Sequence, residues 1–131
     1  QFDAINDLTE KIIFDFDVRT TGSKMESGSL SGGNLQKFIL GREILQEPGI
    51  LIISQPTWGV DAGAALVLRK SLLELAARGC AVLIISQDLD EIFEICDRIA
   101  VLYQGNVSAL MDTETASMDK VGLLMGGGNG E

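Results

Sequence analysis

Ser31, Gly32 and Gly33 stand directly before a stretch with the apolar spacing of an amphipathic helix. A helix entrance leaves its first N–H groups unbonded and carries the positive end of the helix dipole, so bare glycines there make a cradle for a phosphate. A helix capped by Ser31 and entered through a flexible turn explains the same residues equally well. Two more polar stops follow apolar runs: Ser54-Gln55-Pro56 after Ile50 to Ile53, and Ser86-Gln87-Asp88 after Ala81 to Ile85. In a parallel α/β sheet the functional loops lie at the carboxyl ends of the strands, and this placement of polar residues is that of a nucleotide-hydrolysing core. The sequence has no His, which removes the commonest general base and the commonest transition-metal ligand. No metal-ligand set is assigned.

Elements that would position these residues can be read along the chain. Gln1 to Gly28 carries a weak helical pattern (Phe2, Ile5, Leu8, Ile12, Ile13, Phe16) and then a polar loop from Arg19 to Gly28. From Gly33, the residues Leu35, Phe38, Ile39 and Leu45 mark one face of a helix that Pro48 and Gly49 stop. Ile50 to Ile53 is a short buried strand. Asp61 can cap the next helix, over Ala62 to Arg78, with Ala65, Leu68, Leu72 and Leu75 at helical spacing and Gly79 at the stop position. Ala81 to Ile85 is a second buried strand. Asp88, Asp90 and Glu91 open another helix, where the dipole favours acids, and Ile92, Phe93, Ile95 and Cys96 form its apolar side. Arg98 to Tyr103, a turn at Gln104 and Gly105, and Asn106 to Leu110 give a terminal hairpin. Gly126 to Glu131 is too glycine-rich to pack and is expected to be disordered.

The bulk composition sets limits. A chain of 131 residues that is 46% hydrophobic can form one small domain with a core. A formal charge of -9 argues against nucleic acid, whose phosphates need clustered Lys and Arg. The longest apolar run, Cys80 to Ile85, is far short of the roughly 20 residues that span a bilayer, and no secretory signal opens the chain. Cys80 and Cys96 read as buried thiols in a reducing compartment, which favours the cytosol. The chain opens without Met, which suggests a piece of a longer polypeptide. Trp58 reads as a partly exposed packing or interface residue, Glu91 and Glu94 as a solvated helix face, and Lys37 and Arg42 as ordinary surface charges.

The order "LSGGNLQK", "ILIISQPTWGVDAGA", "VLIISQDLDEI" and "DRIAVLYQGNV" is a specific series. Leu30 to Lys37 resembles the signature motif of ATP-binding-cassette (ABC) ATPases, in the variant carried by importers of simple sugars and nucleosides. "QPTWGVDAGA" resembles the end of the Walker B motif with the D-loop, Asp61 being the D-loop aspartate, and "IISQD" resembles the switch-histidine loop. The resemblance runs from Leu30 to about Met111 and extends weakly on either side. It implies the C-terminal portion of a P-loop NTPase (RecA-like) core: a parallel sheet flanked by helices, a terminal β-hairpin, and no Walker A strand. It divides the chain into the end of a helical subdomain and linker (1–29), a partial ATPase core (30–111), and a C-terminal helix with a flexible tail (112–131).

Three departures carry information. Ser54 stands where the family has the Walker B aspartate that helps hold Mg2+, and a neutral hydroxyl cannot supply that charge. Gln55 replaces the glutamate that polarises the attacking water; an amide orients water but cannot take its proton. Gln87 replaces the switch histidine and cannot change protonation state. No G-x-x-x-x-G-K-[ST] occurs either, an absence that fits truncation better than evolutionary loss. The resemblance therefore implies a degenerate second ATPase domain with no catalytic residue of its own. Its Ser31, Gly32, Gly33 and Asn34 would complete, in trans, the γ-phosphate site of a competent partner domain; the implied cofactors are ATP and Mg2+ in the full assembly, with none expected in this stretch alone. The implied partners are a second ABC ATPase domain in the same polypeptide, transmembrane permease subunits and, indirectly, an extracytoplasmic solute-binding protein, with the protein peripheral on the inner face of the cell membrane. A regulatory pseudo-ATPase module and a slow ATPase that uses Gln55 to orient water are the alternatives. Without the Walker A strand, the sheet is expected to expose unpaired backbone, so that this chain self-associates or rearranges.

Overall fold

The computed structural model describes residues 2–128, and the chain divides into two compact units, Gln1–Ile85 and Ser86–Glu131. That boundary falls inside the 30–111 stretch read above as one partial core.

In the first unit, helix α1 (Phe2–Asp15) packs on helix α2 (Gly32–Leu45). Two contacts fix the junction. The Phe16 ring lies over Gly41 so closely that a Cβ there would come 2.5 Å from a ring carbon. Lys37 donates from Nζ to the Asp17 carbonyl at 2.9 Å, with the Asp17 carboxylate 3.6 Å away. Lys37 is only 5% exposed, which corrects its reading as a surface charge. Its cation sits just past the C-terminal end of α1, where the helix dipole is negative. The buried stripe of α2 is Lys37, Leu40, Gly41 and Ile44, at i, i+3, i+4, i+7. It is not the Leu35, Phe38, Ile39, Leu45 face, and Ile39 is exposed. The helix stops at Leu45, with Glu47 in the left-handed region (φ 47°) ahead of Pro48.

Strands β1 (Ile50–Ser54) and β2 (Ala81–Ile85) run parallel in register, Ile50 opposite Ala81 and Ser54 opposite Ile85. Between them α3 (Ala62–Ala77) buries Ala64, Leu68, Leu72 and Leu75, with Ala64 rather than Ala65 opening the stripe. Each of those leucines contributes about 1.5–3 kcal/mol of burial. Gly79, at φ 100°, ends the connection as expected. The expectation that both strands are buried needs correction. Ile50 and Ile52 are 69% and 65% exposed, and Leu83 and Ile85 are 54% and 53% exposed. These strands have the two-sided apolar composition of a sheet covered on both faces. Within the described residues, only the Leu51 side is buried, and β2 pairs with β1 alone.

In the second unit, Asp88 caps α4 (Leu89–Ile95) by accepting from the Glu91 amide at 3.1 Å. Glu91 is 1% exposed, which overturns its reading as solvated face, whereas Glu94 is exposed. β3 (Arg98–Ile99) pairs antiparallel with β6 (Met111–Asp112), and β4 (Leu102–Tyr103) with β5 (Asn106–Val107). The turn at Gln104 and Gly105 has positive φ at both residues (45° and 80°), the geometry of a type I′ hairpin. The return strand is shorter than the Asn106 to Leu110 reading. The Ser108 hydroxyl takes the Val101 amide at 2.9 Å in place of a ladder carbonyl, and the pairing resumes only at Met111. Finally α5 (Met118–Met125) ends in a glycine cap: Gly127 (φ 82°) and Gly128 donate to Leu124 and Leu123 carbonyls at 3.1 and 2.9 Å. Gly126 to Gly128 is therefore ordered, with Gly127 against the Tyr103 ring. The rest of the expected disordered tail, 129–131, lies outside the described residues. Among the described residues no helix is long and apolar enough to cross a membrane.

Candidate functional site

Ser31 is the N-cap of α2. Its Oγ accepts from the Asn34 amide at 3.4 Å and from Asn34 Nδ2 at 2.9 Å, while Asn34 Oδ1 accepts the Arg19 amide at 2.9 Å. The cap thus ties the helix entrance to the preceding loop. Among the described residues, the Ser31 hydroxyl hydrogen goes to no protein acceptor, and Ser31 and Gly32 are exposed.

The two glycines differ. A Cβ on Gly32 would meet nothing within 4 Å. A Cβ on Gly33 would lie 2.7 Å from the Gly59 carbonyl oxygen and 3.5 Å from Val60 Cα. Gly33 is therefore bare because the loop between β1 and α3 passes directly against it. Gly32 is bare toward open space.

One turn further along α2, Gln36 Nε2 donates to the Gln55 carbonyl at 3.1 Å and the Pro56 carbonyl at 3.2 Å. Gln55 follows β1 in the left-handed region (φ 51°), an uncommon place for a residue with a Cβ. Its amide still bonds to the Ile85 carbonyl at 2.8 Å, and its own carbonyl also takes the Trp58 amide at 3.1 Å. Ser54 is exposed at the strand end, opposite Ile85. Trp58 is 76% exposed. The loop closes at Asp61, whose Oδ1 accepts the Ala64 amide at 2.9 Å and caps α3. That hydrogen bond, with Lys37 and Arg19 adding positive potential, holds the Asp61 carboxyl below the ordinary range.

The first unit therefore brings Ser31, Gly33, Asn34, Gln55 and Asp61 into one connected stretch of α2 and the following loop. Gln87 belongs to the second unit, exposed between Ser86 and Asp88, where the Asp88 amide donates to Ser86 Oγ at 3.1 Å. Also in that unit, burial pushes the Cys96 thiol up, and Glu91 and Asp97 push it further, so it stays a protonated, poor nucleophile. Among the described residues no three His, Cys, Asp or Glu side chains group to hold a metal ion.

No family model matches the chain. It is 44% identical over 128 residues to the nucleoside import ATP-binding protein NupA of Lactococcus lactis subsp. cremoris, covering 98% of this chain and 25% of NupA. It is 44% identical over 121 residues to the glucose import ATP-binding protein TsgD13 of Haloferax volcanii, covering 91% of this chain and 22% of that protein. The fold superposes on an ATP-binding subunit of an ABC transporter with a TM-score of 0.79 at 21% identity, over 96% of this chain and 56% of the other. The chain belongs to the ABC ATP-binding proteins. It spans about a quarter of the length of the curated relatives it matches, and its fold is part of a P-loop NTPase core.

For an ABC ATP-binding chain, the motif reading missed Gln36, Lys37 and the Arg19 to Asn34 tie. The spacing held a signal for the first. Position 36 is one helical turn from Gly33, so whatever loop the glycine admits is within reach of the side chain at 36.

Proposed function

We propose that this chain is part of the ATP-binding subunit of an ABC importer of sugars or nucleosides, and that its α2 entrance serves an ATP held by a partner ATPase domain. The observation that carries the reading is the contrast at Gly32. Ser31 and Gly32 are exposed and a Cβ on Gly32 would meet nothing within 4 Å, while the residues at the positions that would hydrolyse ATP locally are Ser54, Gln55 and Gln87. The Ser31 hydroxyl and the Gly32 and Gly33 amides fit a γ-phosphate, because they present donors and a positive dipole end with no side chain in the way.

The residues present do not fit Mg2+: Ser54 brings no charge, and among the described residues no three His, Cys, Asp or Glu side chains group to hold a metal ion. The metal and the general base belong, in this reading, to the partner domain, in the same longer polypeptide, and membrane permeases and a solute-binding protein complete the importer. In this role the chain works from the inner face of the membrane.

Gly32→Asp tests the reading in the assembled ATPase. A Cβ there meets no protein atom within 4 Å, and a carboxylate at the helix entrance would repel the phosphate, so ATP turnover should fall on the order of 100-fold, as when a transition-state donor is lost. Unchanged turnover would contradict the reading. So would an assembly that hydrolyses ATP only after Ser54→Asp, Gln55→Glu and Gln87→His are introduced together.

A further inference from the structure

We propose that Gln36 is a positioning residue: it latches the 55–60 loop to the first turns of α2, so that the helix entrance and Asp61 reach a partner domain as one rigid piece. The proposal rests on the reading of α2 as a phosphate-facing entrance and adds to it a part that the motifs do not assign.

The chemistry favours a latch at this place. After the last paired residue of β1 the chain turns sharply at Gln55, and the carbonyls of Gln55 and Pro56 leave the ladder together. Backbone acceptors in a packed region need donors, and an amide side chain offers two N–H groups on one nitrogen. Gln36 is half-buried and places that nitrogen 3.1 and 3.2 Å from the two oxygens. Pro56 beside it is fully buried, so the loop's first step is held by packing as well. Gly33, one turn back on the same face, lets Gly59 lie flat against the helix. Two points of attachment, at 33 and 36, remove both sliding and tilting of the loop relative to α2. The backbone of Gln55 stays left-handed despite its Cβ because the Ile85 carbonyl, the Trp58 amide and Gln36 hold it from three sides.

The test uses Gln36→Met, which keeps length and apolar packing but removes both donors, alongside Gly32→Asp. Hydrogen exchange of the full chain should rise about tenfold at the Trp58 and Val60 amides in Gln36→Met, as the loop loses two bonds, with β1 and the middle of α2 unchanged. In the assembled ATPase the same variant should lower kcat severalfold while KM for ATP stays put, since the latch touches no nucleotide. Unchanged exchange at Trp58 and Val60 overturns the latch, as does exchange raised equally throughout β1 and α2. Raised loop exchange with kcat unchanged overturns its role in positioning. If Gly32→Asp abolishes turnover and Gln36→Met does not alter it, the positioning role of Gln36 fails and the underlying reading stands. If Gly32→Asp is silent, the underlying reading fails with it, whatever the exchange data show.

Discussion

The entrance of α2 and the end of β1 lie against each other, yet they have fared differently. At the entrance, the groups that could meet a phosphate are intact: a serine cap, an open glycine and a supporting asparagine. At the end of β1 the polar residues are the neutral Ser54 and Gln55, where the proposed reading looks for acids, although the backbone has an uncommon left-handed turn and three hydrogen bonds that hold it. In the proposed reading, geometry and chemistry are separated there: the loop supports α2 and Asp61 without itself activating water.

The largest effect that would sharpen this contrast is the roughly 100-fold loss of turnover in Gly32→Asp, compared with its neighbour. Gly33→Ala should act on the fold instead. A methyl 2.7 Å from the Gly59 carbonyl must push the loop away, at about 1–3 kcal/mol, against a helix-propensity gain of up to about 1 kcal/mol. Overpacking wins, and chemical denaturation should show a net loss; a more stable Gly33→Ala would break the distinction between the two glycines.

A smaller effect probes the other region. Gln55→Gly relieves a left-handed residue of its Cβ and should stabilise the fold by roughly 0.5–1 kcal/mol or less, because glycine also adds freedom to the unfolded chain. A clear destabilisation would mean that the Gln55 side chain has a structural task of its own. The smallest effect is in pH. Asp61 titrates below its ordinary range in the fold, so its charge stabilises above that range and the contribution fades as pH falls through the lowered value. The stability gap between wild type and Asp61→Asn should shrink on acidification below about pH 4. A gap that is flat with pH would show that the charge has no role.

Much of this was legible in the sequence for physical reasons. Parallel strands announce themselves as short apolar runs, Asp61 sits where a helix needs an acceptor, and Gln104-Gly105 can take the two positive φ values of a tight hairpin. The α2 face was misread because hydropathy weighs side chains singly. Lys37 looks like surface until the Asp17 carbonyl is seen beneath it, and Gly41 looks like a gap until the Phe16 ring fills it. Glu91 was misread for the same reason, and the C-terminal glycines because composition cannot distinguish a floppy tail from a helix cap. The exposed apolar face of β1 and β2 shows the converse: the sequence was written for a cover on both sides, and the described residues provide one.

The most direct test is the structure of the assembled ATPase trapped with an uncleaved ATP analogue. The account predicts the Gly32 and Gly33 amides and the Ser31 hydroxyl within about 3 Å of terminal phosphate oxygens bound by another domain. Those groups facing solvent, or the analogue held by the Ser54 and Gln55 loop instead, would contradict it.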